Sequence, residues 1–252
     1  MPRLYAERAD IYDVIYQWKD YGAEADQVAG LLAAYGVVPG ARVLEAACGT
    51  GGHLVHMQRR YRVAGFDLSA GMLEVARRKL PDVPLRQADM ITVRPEQVDG
   101  TYDAVCSLFS SIGYVWPEPR LRQALASLAG LLRPGGVLVL EPWVDPSAYR
   151  VGRATLQTAG LPTQDADPAE LYVARGGVSD LREQDGMRIS VMDLHYLVVP
   201  RGGQVEHFQE RHELWLCPRE VMVAAAEAAG LRVTWLEPGL SPGRGLLVGV
   251  RT

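Results

Sequence analysis

Short apolar runs and stretches of helical periodicity take turns along the first half of the chain. Between Asp10 and Tyr35 the side chains Ile11, Val14, Ile15, Trp18, Val28, Leu31 and Leu32 recur at helical spacing. A break near Lys19-Asp20-Tyr21-Gly22 divides the stretch into two helices. Arg42 to Ala46 is a compact apolar run leading into glycines, as a buried parallel strand would. His53 to Arg60 reads as the next helix and Tyr61 to Asp67 as the second strand. Ser69 is set to cap a helix from Ala70 to Leu80, which stops before Pro81. Val83 to Gln87 is a short third strand and Tyr102 to Leu108 the fourth. Leu121 to Leu132 follows as a helix closed by Arg133-Pro134-Gly135-Gly136, and Val137 to Glu141 is the fifth strand. This alternation predicts an α/β fold, a doubly wound and mostly parallel sheet with helices on both faces.

The rhythm changes after Glu141. Pro142 to Pro168 is rich in Pro, Gly and Ala without a clear period and reads as loop with short helices. Leu171 to Leu181, Met187 to Val199 and Gln204 to Leu216 read as strands, with Gly186 and Gly202-Gly203 at their turns. Together they form an antiparallel β appendage ahead of a last helix, Arg219 to Ala229, and a strand pair, Arg232 to Leu236 and Gly245 to Val250. The expected organisation is a cofactor-binding α/β domain over 1–141 and 217–252, interrupted by a substrate-binding and dimerisation insertion over 142–216.

Composition narrows the function. The chain has 252 residues, 48% of them hydrophobic, enough for one sizeable core. Net charge is −4, and the longest basic run is Arg77-Arg78-Lys79, so no nucleic-acid partner is signalled. No apolar run is long enough to span a membrane, and the N-terminus lacks the apolar core of a signal peptide. Cys48, Cys106 and Cys217 have no metal-ligand spacing and fit reduced thiols in a cytoplasmic protein; no metal site is expected.

The glycine turn Cys48-Gly49-Thr50-Gly51-Gly52 after the first strand allows backbone to approach a ligand closely, though on its own it is equally a packing turn. Asp67 ends the second strand 22 residues beyond Glu45, where a carboxylate accepts the ribose hydroxyls of an adenosine ligand. Nicotinamide enzymes share that acid, but the third glycine of G-x-G-x-x-G is missing here. Asp89 and Met90 end the third strand with a carboxylate for the adenine amino group and an apolar side chain for its ring. The alternative for Asp89 is a helix cap. Glu45 can hold the cationic amino-acid end of a cofactor directly or through water; its alternative is a buried acid paired with an amide.

Val43-Leu44-Glu45-Ala46-Ala47-Cys48-Gly49-Thr50-Gly51, Phe66-Asp67-Leu68-Ser69, Gln87-Ala88-Asp89-Met90 and Leu131-Leu132-Arg133-Pro134-Gly135-Gly136 together resemble the class I S-adenosylmethionine-dependent methyltransferases. A finer likeness runs nearly end to end. Phe109-Ser110-Ser111-Ile112-Gly113, Glu141-Pro142-Trp143, Val205-Glu206-His207 and Gly243-Arg244-Gly245 are similar to the bacterial nucleotide-deoxyaminosugar N-methyltransferases of antibiotic pathways. The resemblance implies S-adenosyl-L-methionine as cofactor, a small-molecule nucleotide-sugar substrate and a homodimer. It implies cofactor contacts from Tyr12 and Tyr21, which would close over the ligand. Glu45, Ala47, Gly49, Gly51, Asp67 and Leu68 would follow, with Met72, Asp89, Met90 and Leu108.

Methyl transfer from a sulfonium is an in-line displacement that needs alignment, exclusion of water and an unprotonated nucleophile. An amine has only to lose a proton, whereas a hydroxyl usually needs a positioned base or metal during attack, which tilts the reading towards N-methylation. The runner-up is another small amine or hydroxyl; a nicotinamide dehydrogenase and a non-catalytic adenosine-binding module are the competing classes. Tyr114 and His207 are the catalytic candidates. Tyr5, Trp143, His195 and Arg244 are the substrate candidates, Arg244 for a phosphate because its flanking glycines permit close approach. The alternatives are plain packing for Trp143, hydrogen bonding for the histidines and a surface salt bridge for Arg244. His53 and His56 are read as solvated or core-edge residues. The family resemblance implies a histidine where this chain has Tyr114, and another where it has Asp180.

Overall fold

The computed structural model describes residues 2–160 and 171–252. The N-terminal arm comprises α1 (Arg3–Ala6), a short 3-10 turn, α2 (Tyr12–Ile15) and α3 (Tyr21–Ala34). The break at Lys19-Asp20 is real: Asp20 caps α3, its Oδ1 accepting the Ala23 amide at 2.8 Å. Then come β1 (Arg42–Ala46), α4 (Leu54–Met57), β2 (Arg62–Asp67), α5 (Ala70–Lys79), β3 (Leu85–Gln87), β4 (Tyr102–Ser107), α6 (Glu118–Gly130) and β5 (Leu132–Leu140). Ser69 caps α5 as expected, accepting the Met72 amide at 3.1 Å.

Several boundaries shift by a few residues, and the one between α6 and β5 has a physical cause. The helix ends at Gly130, and Arg133 to Gly136 lies inside β5. Tyr102 pairs with Leu132 but Ala104 with Val137, so the Arg-Pro-Gly-Gly segment bulges out of the ladder instead of closing a helix. Pro134 has no amide to donate, and Gly135 takes a φ of 74°.

The second half adds β6 (Ala154–Ala159), β7 (Leu171–Gln184), β8 (Met187–Pro200), β9 (Glu206–Trp215), α7 (Arg219–Ala228), β10 (Leu231–Leu236) and β11 (Leu246–Arg251). β6 corrects the reading of Pro142 to Pro168 as loop with short helices; residues 161–168 of that stretch lie outside the described residues. Its burial is almost nil, so no two-residue alternation marks it, and pairing with β7 creates it.

Two sheets result. The large one has the order β10-β11-β5-β4-β1-β2-β3, parallel except where β11 runs against β5 and β10. The small one is antiparallel, β6-β7-β8-β9. Leu4, Ile11 and Ile15 of the arm pack with Val173, Tyr196, Val198 and Phe208 of the small sheet, and Met72 of α5 completes that cluster. The arm is thus the apolar joint between the two sheets.

Candidate active site

Neighbouring strands leave β1 in opposite directions, β2 on one side and β4 on the other, which opens a crevice at their carboxyl ends. The chain turns sharply there. Ala47 after β1 and Phe109 after β4 both take positive φ, 56° and 54°, a conformation non-glycine residues seldom adopt. Between these turns lies a cavity lined by Tyr12, Tyr21, Glu45, Ala47, Gly49, His53, Leu108 and Phe109, among others. Its volume is ≈ 40 Å³, and the Tyr12 and Tyr21 rings form part of its wall. Glycine is required beneath them: a Cβ on Gly52 would meet the Tyr21 ring at 2.8 Å, and one on Gly51 would meet Leu80 Cδ1 at 2.6 Å.

A buried charge chain supports the cavity floor. Glu45 Oε1 accepts from His53 Nδ1 at 2.9 Å, and His53 Nε2 donates to Glu24 Oε2 at 2.9 Å. The other Glu24 oxygen pairs with Lys19, whose ammonium lies 4.3 Å from the Phe109 ring centroid. With a carboxylate on each ring nitrogen, both nitrogens must carry hydrogen. Burial lowers the His53 pKa, but the Glu45 charge and the hydrogen bonds to Glu24 and Glu45 outweigh it and raise it to about 9. Glu45 Oε2, also buried, has no hydrogen-bond partner. An orphaned carboxylate oxygen in a cavity wall suits a cationic ligand group.

The glycine turn is locked to β2. Asp67 Oδ2 accepts the Gly49 amide and Oδ1 the Ser69 amide, each at 2.8 Å. Burial pushes its pKa up, and these amides offset that only in part. Thr50 donates to Asp13 Oδ1 and Lys79 to Asp13 Oδ2, each at 2.6 Å, tying the arm over the turn. Asp89 Oδ1 accepts the Ile91 amide at 2.9 Å, a bond that closes a turn after β3, with no helix beginning there. Met90 packs against the core, Met72 is buried close to Gly49, and Leu68 is 52% exposed.

A second polar chain begins beyond β4. Tyr5 and Tyr114 share a hydrogen bond of 3.1 Å between their hydroxyls, and the Tyr114 hydroxyl is 2.5 Å from His212 Nδ1. His212 Nε2 is 2.6 Å from Glu210 Oε1, which Tyr196 also reaches at 3.1 Å. Glu210 Oε2 accepts the Leu4 amide at 2.9 Å. Burial raises the Glu210 pKa, but the bonds from His212 and Leu4 prevail and hold it below the usual carboxylate range. Burial pushes the Tyr114 hydroxyl well up.

His195 and His207 do not join this cluster. They stack on each other, with rings 5.4 Å apart, on the exposed face of the small sheet. Side chains alternate along a strand, so Phe208, Glu210 and His212 face the arm while His207 faces outward. Counting by twos from His212 would have exposed that mismatch; nothing local marked His53, because its partners Lys19 and Glu24 come from a distant helix.

Arg244 lies beside a buried acid. Its Nη1 lies 3.5 Å from Glu141 Oε1, and Glu141 is fully buried, with Oε2 accepting the Phe109 amide at 2.7 Å. Neither Arg244 Nη1 nor Glu141 Oε1 has a hydrogen-bond partner. The guanidinium also sits 4.8 Å from the Trp143 ring centroid, and Trp143 donates to Ser190 at 2.9 Å. Among the described residues no group of three or more His, Cys, Asp or Glu could hold a metal ion, and no helix is long and apolar enough to cross a membrane.

Comparison with known proteins agrees with this geometry. A family model described as a methyltransferase domain matches residues 43–136. The chain is 40% identical to a dTDP-3-amino-3,4,6-trideoxy-alpha-D-glucopyranose N,N-dimethyltransferase from Streptomyces venezuelae, over 97% of this chain and 98% of that one. It is 36% identical to a dTDP-3-amino-3,6-dideoxy-alpha-D-glucopyranose N,N-dimethyltransferase from Streptomyces fradiae, over 97% and 91%. The crystal structure of DesVI from Streptomyces venezuelae superposes with a TM-score of 0.85 at 39% identity, covering 98% of this chain and 99% of that one. S-adenosylmethionine-bound CalS10, an amino pentose methyltransferase from Micromonospora echinaspora involved in calicheamicin biosynthesis, gives 0.80 at 33%, covering 96% and 97%. With a crevice at the strand ends, an unpaired acid in its wall and likeness along nearly the whole chain, this enzyme is an S-adenosylmethionine-dependent methyltransferase of the nucleotide-deoxyaminosugar N-methyltransferase family.

Proposed function

We propose that this enzyme methylates the amino group of a dTDP-linked deoxyaminosugar, adding two methyl groups in turn, in the assembly of an antibiotic sugar. The single observation that carries this reading is full-length similarity to dTDP-aminosugar N,N-dimethyltransferases, which includes a third relative at 34% identity. The small sheet supports it by adding a second wall beside Tyr114, where an acceptor would approach.

When bound, the cofactor would supply a methyl group carried on a sulfonium, a good leaving group for in-line displacement by an amine. Glu45 Oε2 would hold its ammonium, the Gly49 and Gly51 turn with Ala47 would cradle its amino-acid end, and Asp67 would accept the ribose hydroxyls. Asp89, Met90 and Leu108 would receive the adenine, with Leu68 and Met72 at its edge. Tyr12 and Tyr21 would close over it and exclude water. Tyr5 and Tyr114 would meet the amine. Trp143 would offer the sugar an apolar face, and Arg244, shared with Glu141, would meet the nucleotide phosphates.

The outer face of the small sheet carries Leu156, Val178, Leu197 and Val199, all exposed, beside His195 and His207. Such a face favours a homodimer, with residues 142–216 as the insertion that makes it. Cys48, Cys106 and Cys217 as free thiols favour a cytoplasmic setting. Mass spectrometry of dTDP-aminosugars incubated with enzyme and cofactor tests the reaction: successive gain of two methyls on an amine supports it, and no gain on any of them overturns it. Sedimentation tests the dimer.

A further inference from the structure

The geometry points to a proton relay for the acceptor amine, running from Tyr114 to His212 and backed by Glu210. It rests on the aminosugar reading above. At neutral pH a sugar amine is largely an ammonium, with no lone pair to attack a methyl group, so a proton must leave before each transfer.

Ionised Glu210 can only accept hydrogen bonds, so His212 Nε2, 2.6 Å away, carries the hydrogen. Neutral His212 then presents Nδ1 as an acceptor, and the Tyr114 hydroxyl at 2.5 Å is its donor. Tyr5 donates in turn to Tyr114 at 3.1 Å. Glu210 is fixed by the Leu4 amide and Tyr196. With the hydrogen on Nε2 alone, the hydrogen bonds run from Tyr5 through Tyr114 to His212 and on to Glu210. Access is one-sided as well: His212 is 3% exposed, whereas Tyr114 is 36% exposed. Tyr114 is the terminus a substrate can touch.

The transfer balances. The ammonium N–H bond breaks and leaves its electron pair on nitrogen; that proton joins Tyr114 Oη as the tyrosine's own proton crosses to His212 Nδ1. Tyr114 ends neutral, and no free phenolate is needed. His212 ends as an imidazolium balanced by Glu210. After product leaves, the proton returns to water through Tyr114. A second methylation repeats the cycle. Tyr114 is the catalytic residue; His212 and Glu210 act through it. The titratable groups facing His212 are Tyr5 from α1, Tyr114 from the turn after β4 and Glu210 of β9, with Tyr196 of β8 on the same carboxylate.

The test compares wild type, His212→Gln, Tyr114→Phe and the double variant across pH, on a dTDP-aminosugar the wild type methylates. At pH 7 each single variant should lose about tenfold or more in kcat with little change in KM. The variant-to-wild-type ratio should approach unity near about pH 9.5, where the amine loses its proton unaided. The double variant should lose no more than either single one. Tyr114→Phe keeps the ring and guards against a folding defect at His212. Nitrogen-15 NMR of labelled histidines gives a readout apart from turnover. Adding the aminosugar to the S-adenosylhomocysteine complex at pH 7 should convert His212 from neutral to imidazolium in wild type but not in Tyr114→Phe. Equal losses at every pH, or a His212 signal indifferent to substrate, would overturn the relay alone. Absence of any methylation by wild type would instead overturn the aminosugar reading and the relay with it.

Discussion

The enzyme buries two histidines to the same depth, His53 and His212, each 3% exposed and each touching a glutamate, yet their surroundings give them opposite chemistry. His53 has carboxylates on both nitrogens and is locked as a cation at neutral pH. His212 has a carboxylate on one side and a hydroxyl on the other. A hydroxyl can give or take a hydrogen, so His212 has no second carboxylate to hold it as a cation. One extra carboxylate separates a fixed charge that shapes the cofactor floor from a base free to change state. Depth of burial decides neither; the second partner does.

Breaking His53 should have the largest effect. His53→Leu leaves Glu24 and Glu45 buried against an apolar side chain, with Lys19 reaching only the former, and should cost about 3–5 kcal/mol in urea unfolding. His212→Leu should cost clearly less, since Tyr114 can reorient. Next, Glu45→Gln removes the charge offered to the cofactor and half of the clamp on His53. S-adenosylmethionine affinity by calorimetry should fall roughly tenfold or more. Asp67→Ala should weaken it comparably, through loss of the ribose acceptor and release of the Gly49 amide.

A pH comparison sharpens the contrast. The folded-state pKa of His53 is raised to about 9 from its ordinary 6.5. A raised cationic group stabilises the fold fully below its unfolded pKa, and that stabilisation is lost as pH rises through about 9. Melting temperature should therefore decline between about pH 6.5 and 9.5 in wild type, and the decline should be shallower in His53→Gln. The smallest effect is expected on the outer face. His195→Ala and His207→Ala should leave kcat within about twofold, because strand alternation turns both away from Tyr114.

Much of the cofactor half was legible because its parts are local. Gly49 and Gly51 follow directly on β1, Asp67 ends β2, Ser69 caps α5, and each signal depends on a few consecutive residues. The acceptor half was not. Tyr114 and His212 are 98 positions apart and meet only because β9 packs against the turn after β4. His207 drew attention through a motif, whereas the histidine in contact with Tyr114 is His212, five residues on. Arg244 was singled out by its flanking glycines, which could not name Glu141, beside it from just past the end of β5, as its neighbour. β6, lacking an alternating pattern, exists because β7 offers it an edge.

By itself the sequence determined the alternation of strands and helices up to β5, the glycine turn, the acid at the end of β2 and hence the class of cofactor, since short-range periodicity and turn chemistry are written in neighbouring residues. Tertiary structure alone decided that His53 lies between two carboxylates, that His212 joins Tyr114 to Glu210, and that His195 and His207 lie on the other face of the small sheet. Those properties depend on a second partner supplied from far along the chain, and a partner acts through distance and burial, which no local pattern encodes.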